Sequence, residues 1–279
     1  MEREPEMRPR FWIALPVAIA IAAPLLAQRA NSGPASGRSP WPAGKRAAVS
    51  LSFDDARPSQ LSEGLPVFAE SNTKVTFFLT TGNIGTHAAD WRRAAEAGHE
   101  MGNHTVNHPC SGNFAWSAPR ALEDATLSTM RTEMTEASSA IEQATGVRPV
   151  SFAYPCGQTF VGRGRQVASY VPVVSELFVA GRGWLNEGPN DPVRVDLAQV
   201  FGYPMDDVEF EALRPAVDDA IERGQWLVLA GHDIGAGPGH QVTRVSMLRA
   251  LLAYIQDPSR GVWVDTIGHV AAAVKRAQE

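Results

Sequence analysis

Short apolar runs alternate with amphipathic stretches along most of the chain. Residues 47–53 (AAVSLSF) end in Asp54-Asp55, and residues 75–79, 150–153, 177–180, 226–230 (WLVLA) and 262–264 are further runs of strand length and composition. Apolar positions at three- and four-residue steps predict helices over 61–70, 88–97, 119–145, 209–223, 242–255 and 267–277. Gly98 and Gly146 stand where helix C-termini need a residue free to take positive φ. The longest of these helices carries Leu122, Met130, Met134, Ala137 and Ile141 as one stripe, which reads as core. Strands that alternate with helices and are apolar on both faces predict an α/β fold with a mainly parallel sheet. Between Phe160 and Asp207 glycines and prolines interrupt the pattern, and element boundaries are weakly marked.

The first residues follow a different pattern. Arg8 and Arg10 precede an uncharged run over 11–27, followed by Gln28 and Arg29, the order of a secretory signal. Residues 1–30 are therefore expected to be a signal peptide or an N-terminal membrane anchor, and the small, proline-rich residues 31–44 a flexible linker. Both place the working domain, residues 45–279, outside the cytoplasm, periplasmic or extracellular. There the only two cysteines, Cys110 and Cys156, either pair or stay as buried thiols. The net charge of −5 and the lack of a basic run after the leader exclude an electrostatic footprint for nucleic acid.

Candidate chemistry gathers at strand ends. Gly102-Asn103-His104-Thr105-Val106-Asn107-His108-Pro109 holds two histidines four apart, a spacing that on one helical turn lets both rings converge on a metal ion. Asp54-Asp55 supplies what the pair lacks. One carboxylate completes a two-histidine, one-carboxylate set, and its neighbour stays free to take a proton from water at the metal. His232 follows the apolar run 226–230 and suits a general acid for the leaving group, with adjacent Asp233 a candidate to orient it. A buried structural histidine is the plainer alternative. Asp54, Asp55, His104 and His232 all fall at the C-terminal ends of expected strands, the face where βα barrels carry their sites. His87, His99, His240 and His269 receive no role, although His240 lies in a glycine-rich loop near His232.

Four stretches, in order, carry a resemblance. Ser52-Phe53-Asp54-Asp55-Ala56 resembles the Thr-Phe-Asp-Asp-Gly motif of the polysaccharide deacetylases with a NodB homology domain, a carbohydrate esterase family acting on chitin, peptidoglycan and xylan. His104-Thr105-Val106-Asn107-His108 matches its His-Ser/Thr-x-x-His. Phe152-Ala153-Tyr154-Pro155-Cys156-Gly157 resembles its Phe-Arg-Pro-Pro-Tyr-Gly, and Leu229-Ala230-Gly231-His232 its last motif. The resemblance implies a distorted (β/α) barrel of about seven or eight mainly parallel strands and a divalent metal, zinc first. It further implies Asp54 as base, Asp55, His104 and His108 as metal ligands, His232 as acid, and the Cys156 N–H, near Tyr154, as an oxyanion donor. The family arginine of the third motif is Ala153 here, and Arg182 is the candidate to replace it. No Asp-x-x-Asp-Trp motif is evident, so the partner of His232 stays unassigned. With the third motif looped over the metal, Cys156 would approach Cys110, and a disulfide between them is expected.

The expected function is metal-dependent removal of acetyl groups, from amide or ester, from an acetylated glycan. Hydrolysis of a small non-sugar amide or imide on the same fold, or a non-catalytic carbohydrate-binding relative, are the alternatives.

Overall fold

The computed structural model describes residues 39–279. The expected signal or anchor and most of the expected linker lie outside the described residues. The fold takes in Trp41, ahead of the expected start at Lys45: its indole donates to Gly224 O at 3.1 Å and its ring lies 6.3 Å from that of Trp263.

In chain order β1 (Ala47–Asp54), α1 (Leu65–Glu70), β2 (Thr76–Leu79), α2 (Thr81–Ile84), α3 (Ala88–Glu96), β3 (Glu100–Asn103), α4 (Leu127–Thr145) and β4 (Ser151–Ala153) make the first half. A small hairpin, β5 (Phe160–Val161) with β6 (Ala168–Ser169), precedes α5 (Val171–Leu177), β7 (Ala180–Arg182) and β8 (Tyr203–Pro204). Then follow α6 (Phe210–Arg223), β9 (Trp226–Gly231), the paired β10 (Asp233–Gly235) and β11 (Val242–Arg244), α7 (Val245–Ile255), β12 (Val262–Val264) and α8 (Ile267–Gln278).

The main sheet has eight strands in the order β7-β4-β3-β2-β1-β9-β8, with β12 also on β1, and every pairing in it is parallel. Val200 N donates to Gly181 O, and Gly183 N to Val200 O, both at 2.8 Å. The residues leading into β8 thus pair with β7 and bring the two ends of the sheet together as a barrel. β1 is its centre. All eight of its residues are buried, between β9 on one side and β2 and β12 on the other. Its two serines suit that position because each has a partner: Ser52 Oγ donates to Leu229 O at 2.8 Å, and Ser50 Oγ accepts the Trp226 indole at 3.0 Å.

The helices cover the barrel as the apolar stripes predict, with differences at their starts. α4 begins at Leu127, not near 119, because Thr126 Oγ1 accepts from Thr129 N and caps it, while residues 118–124 form two separate 3₁₀ turns. Gly146 ends α4 at φ +82°, and Met130, Met134, Ala137 and Ile141 are buried on its inner face. The expected strand over 177–180 sits instead at Ala180–Arg182, after α5. The expected helix over 242–255 starts at Val245, since residues 242–244 pair in parallel with β10. No helix among the described residues is long and apolar enough to cross a membrane.

Candidate active site

The C-terminal ends of the strands face one cavity of about 840 Å³. Asp54 ends β1 and Asp55 follows it; His104 follows β3, Tyr154 follows β4, Arg182 ends β7 and His232 follows β9. All of the residues singled out in sequence as chemical candidates therefore come from this end of the barrel.

The histidine pair is not on a helix. Residues 104–108 form a loop with Thr105 at φ +65° and His108 at φ +50°. That turn, not helical periodicity, sets the rings 4.7 Å apart at their centroids. Polar side chains hold the strained path. Asn103 Oδ1 accepts Thr105 N, and Thr105 Oγ1 accepts His108 N, both at 2.9 Å. Glu133 of α4 accepts the Val106 and Asn107 amides at 3.0 and 2.9 Å. Asp55 is likewise at positive φ, +76°, and its carbonyl accepts Thr80 Oγ1 and Asn83 Nδ2 at 3.1 and 2.7 Å. Non-glycine residues in this region are costly, and they cluster here because neighbours fix them.

Asp55 Oδ1 lies 3.7 Å from His104 Nε2 and 3.6 Å from His108 Nε2, and these atoms stand within 4.8 Å of one another. His104 Nδ1 donates to Ala153 O at 2.8 Å, so Nε2 is the ring nitrogen turned toward Asp55. Burial, with His104 beside it, pushes His108 down to about 4, so its ring is neutral over the ordinary pH range. Two imidazoles and a carboxylate facing one point fit a divalent cation. Cys110 and Cys156, also near His108, are joined as a disulfide with Cα atoms 6.0 Å apart and add no thiolate to this set.

Asp54 is 4% exposed and receives Arg182 Nη2 on Oδ1. Burial alone would raise its pKa; Arg182, then His104 and His232, outweigh this and hold it at about 2. Arg182 is fully buried, with its guanidinium carbon 5.0 Å above the centre of the Phe78 ring. It stands opposite Ala153 in the β4–β7 register, so the guanidinium comes from the strand beside the one that carries it in the family motif.

His232 finds its partner in Asp206, not Asp233. Its Nδ1 is 2.7 Å from Asp206 Oδ2, while Asp206 Oδ1 accepts His232 N at 3.1 Å and Thr243 Oγ1 at 2.6 Å. Burial lowers the pKa of His232, but Asp206 and then Asp54 raise it above the ordinary value. Asp233 instead accepts Arg57 and Ser59. Asp206 was unread in the sequence; its one signal is an Asp-Asp pair just after an apolar stretch and before a helix. Trp184, more readily taken for core, is half-buried and meets the His232 ring edge-on at 5.0 Å. The Tyr154 hydroxyl is committed to Ala198 O at 2.7 Å. On the other wall Phe114 and Trp116, 43% and 55% exposed, stack at 5.6 Å, and Trp116 lies 5.8 Å from the His108 ring.

Residues 42–172 match the family model described as polysaccharide deacetylase. A gellan lyase from a Bacillus species is 28% identical over 253 residues, which is 82% of this chain and 9% of that protein. A chitooligosaccharide deacetylase from Rhizobium leguminosarum is 39% identical over 62 residues, 22% of this chain and 29% of that one. The chain thus spans less than a third of the length of either relative. A presumed polysaccharide deacetylase from Mycobacterium smegmatis superposes with a TM-score of 0.62 at 20% identity, over 88% of this chain and 95% of that one, a likeness of fold.

Proposed function

We propose, for a chain that belongs to the polysaccharide deacetylase family, that it removes acetyl groups from an acetylated polysaccharide or oligosaccharide by metal-assisted hydrolysis. The observation that carries the reading is the division of labour at one cavity: three ligand-type groups converge while a second carboxylate and a second histidine, each with its own partner, stand beside them. Asp55, His104 and His108 would hold the ion, for which zinc is the first choice with this donor set. Bound there, a divalent cation would supply polarisation of the acyl carbonyl and acidify the attacking water.

The protein's own groups do the rest. Asp54, with Oδ1 engaged by Arg182, receives the proton of the attacking water on Oδ2. The Cys156 N–H, presented by a residue at φ +53°, donates to the developing oxyanion. His232 gives its Nε2 proton to the leaving amine or alkoxide and is held for this by Asp206 at Nδ1. The exposed Phe114 and Trp116 rings offer flat apolar faces to a sugar, which favours a glycan over a small amide. A disulfide between the only two cysteines supports a chain exported to an oxidising compartment, with residues 1–30 as signal or anchor and 45–279 as the catalytic domain.

Acetate release from N- and O-acetylated glycans and from small amides, with zinc and after chelation, tests the reading. Asp54→Asn is expected to keep the ion and lose turnover, and His104→Ala to lose both. Full turnover in Asp54→Asn would remove the base from the scheme.

A further inference from the structure

Asp54 and Asp55 are adjacent and alike, yet the reaction proposed above gives them opposite work. One must ligate, and the other must keep a basic oxygen free. Two arginines separate them. Arg182 engages Asp54 Oδ1. Arg57 engages Asp55 Oδ2, donating from Nη2 at 3.0 Å and Nε at 3.3 Å, and leaves Oδ1 alone to face the two histidines.

The Arg57 guanidinium does not stop there. Nη1 donates to Asp233 Oδ2 at 2.6 Å, and Ser59 Oγ donates to the other oxygen of that carboxylate at 2.5 Å. Nη2 also donates to Gln241 Oε1 at 2.7 Å. With its oxygen so engaged, the Gln241 amide presents nitrogen on its other side, and Nε2 stands 3.4 Å from His232 Nε2, where it can donate only to a ring that has given up its proton at that nitrogen. His232 Nδ1 is occupied by Asp206, so Nε2 is the nitrogen that delivers a proton. One line of polar contacts therefore joins the ligand carboxylate to the proton donor: Asp55, Arg57, Gln241, His232.

We propose that Arg57 is a positioning residue that confines Asp55 to one-oxygen ligation and, through Gln241, holds the ring of His232 in place once that ring has given up its Nε2 proton. The inference rests on the proposed reaction. A cation on the spare oxygen draws charge from the ligating one, so the carboxylate grips a metal ion less firmly and neutralises it less. A lysine cannot substitute, because one ammonium lacks the planar fork that reaches Asp55, Asp233 and Gln241 together.

The test uses the full chain. Zinc dissociation constants are read by competition with a chromophoric chelator, and kcat and KM from acetate release on an acetylated chito-oligosaccharide. Changes that strip a metal ligand of its orienting partner ordinarily weaken metal binding by about 10–100-fold. Here Arg57→Gln is expected to bind zinc as tightly as the unaltered protein or more so, while kcat falls about 10-fold with KM within about threefold. Arg57→Lys should behave like Arg57→Gln. Gln241→Met should leave zinc affinity within about twofold and lower kcat by about threefold or more. Loss of zinc affinity in step with kcat in Arg57→Gln, or an unchanged kcat in both the Arg57→Gln and Gln241→Met proteins, overturns the inference. If the unaltered protein releases no acetate, the reaction is wrong, and the zinc measurements still decide the role of Arg57 at Asp55.

Discussion

Arg182 shows what a single buried charge does in this site. Its side chain is fully enclosed, and its partner Asp54 is held at about 2, below the ordinary carboxylate value of 3.8. Removing one member of a buried pair leaves the other unpaired, at a cost of about 3 kcal/mol or more. Arg182→Met is therefore expected to lower the free energy of urea unfolding by about 3 kcal/mol near neutral pH. Because the Asp54 pKa is depressed on folding, its share of stability is complete above the unfolded value. That share is lost as pH falls from about 4 to about 2, so the deficit of the variant should shrink over that range. At His232 the sign is reversed. Its pKa is raised on folding, chiefly by Asp206, so the ring stays protonated to higher pH than a free histidine. Asp206→Asn removes that support, and the alkaline limb of the activity profile is expected to move to lower pH; an unmoved limb would separate Asp206 from proton delivery.

Among elements, the apolar runs were legible and the short strands of the glycine- and proline-rich stretch were not. β1, β2 and β9 fall within a residue or so of the runs that predict them, because burial on both faces demands continuous apolar sequence. β7 and β8 have three and two residues, too few for any period, and exist through their neighbours' hydrogen bonds. The histidine loop misled differently. A four-residue spacing is shared by a helical turn and by a loop bent at two positive-φ residues, and the strand before it decides between them. The disulfide ties that loop to the turn after β4. Its cysteines are 46 residues apart, which by loop closure corresponds to about 4 kcal/mol. Changing both cysteines to serine is expected to lower stability by about 2–4 kcal/mol and to reduce turnover. Unchanged turnover would show that the wall of the cavity stands without the bond.

At the scale of the whole molecule, the ligand groups lie on loops after β1 and β3, two strands that meet only through β2. An ion bound only to the folded chain stabilises it by about 2.7 kcal/mol at a hundredfold excess over its dissociation constant, a rise in Tm of about 5–10 °C for a domain of this size. Adding zinc to metal-free protein should produce that rise, and His104→Ala should abolish it. The sequence disclosed a mainly parallel sheet and most of the groups at its strand ends because these are local features, while the barrel came with the family resemblance. The pairing of His232 with Asp206, 26 residues away, is not local, and no spacing encodes it. The level of Arg182 with Ala153 across two strands carries a last consequence. A guanidinium in this fold can be supplied from a neighbouring lane of the sheet and still reach the carboxylate at the end of β1. Judging such a site by one alignment column would then miss a charge that is present; the count should be taken of charges in the cavity, whichever strand sends them.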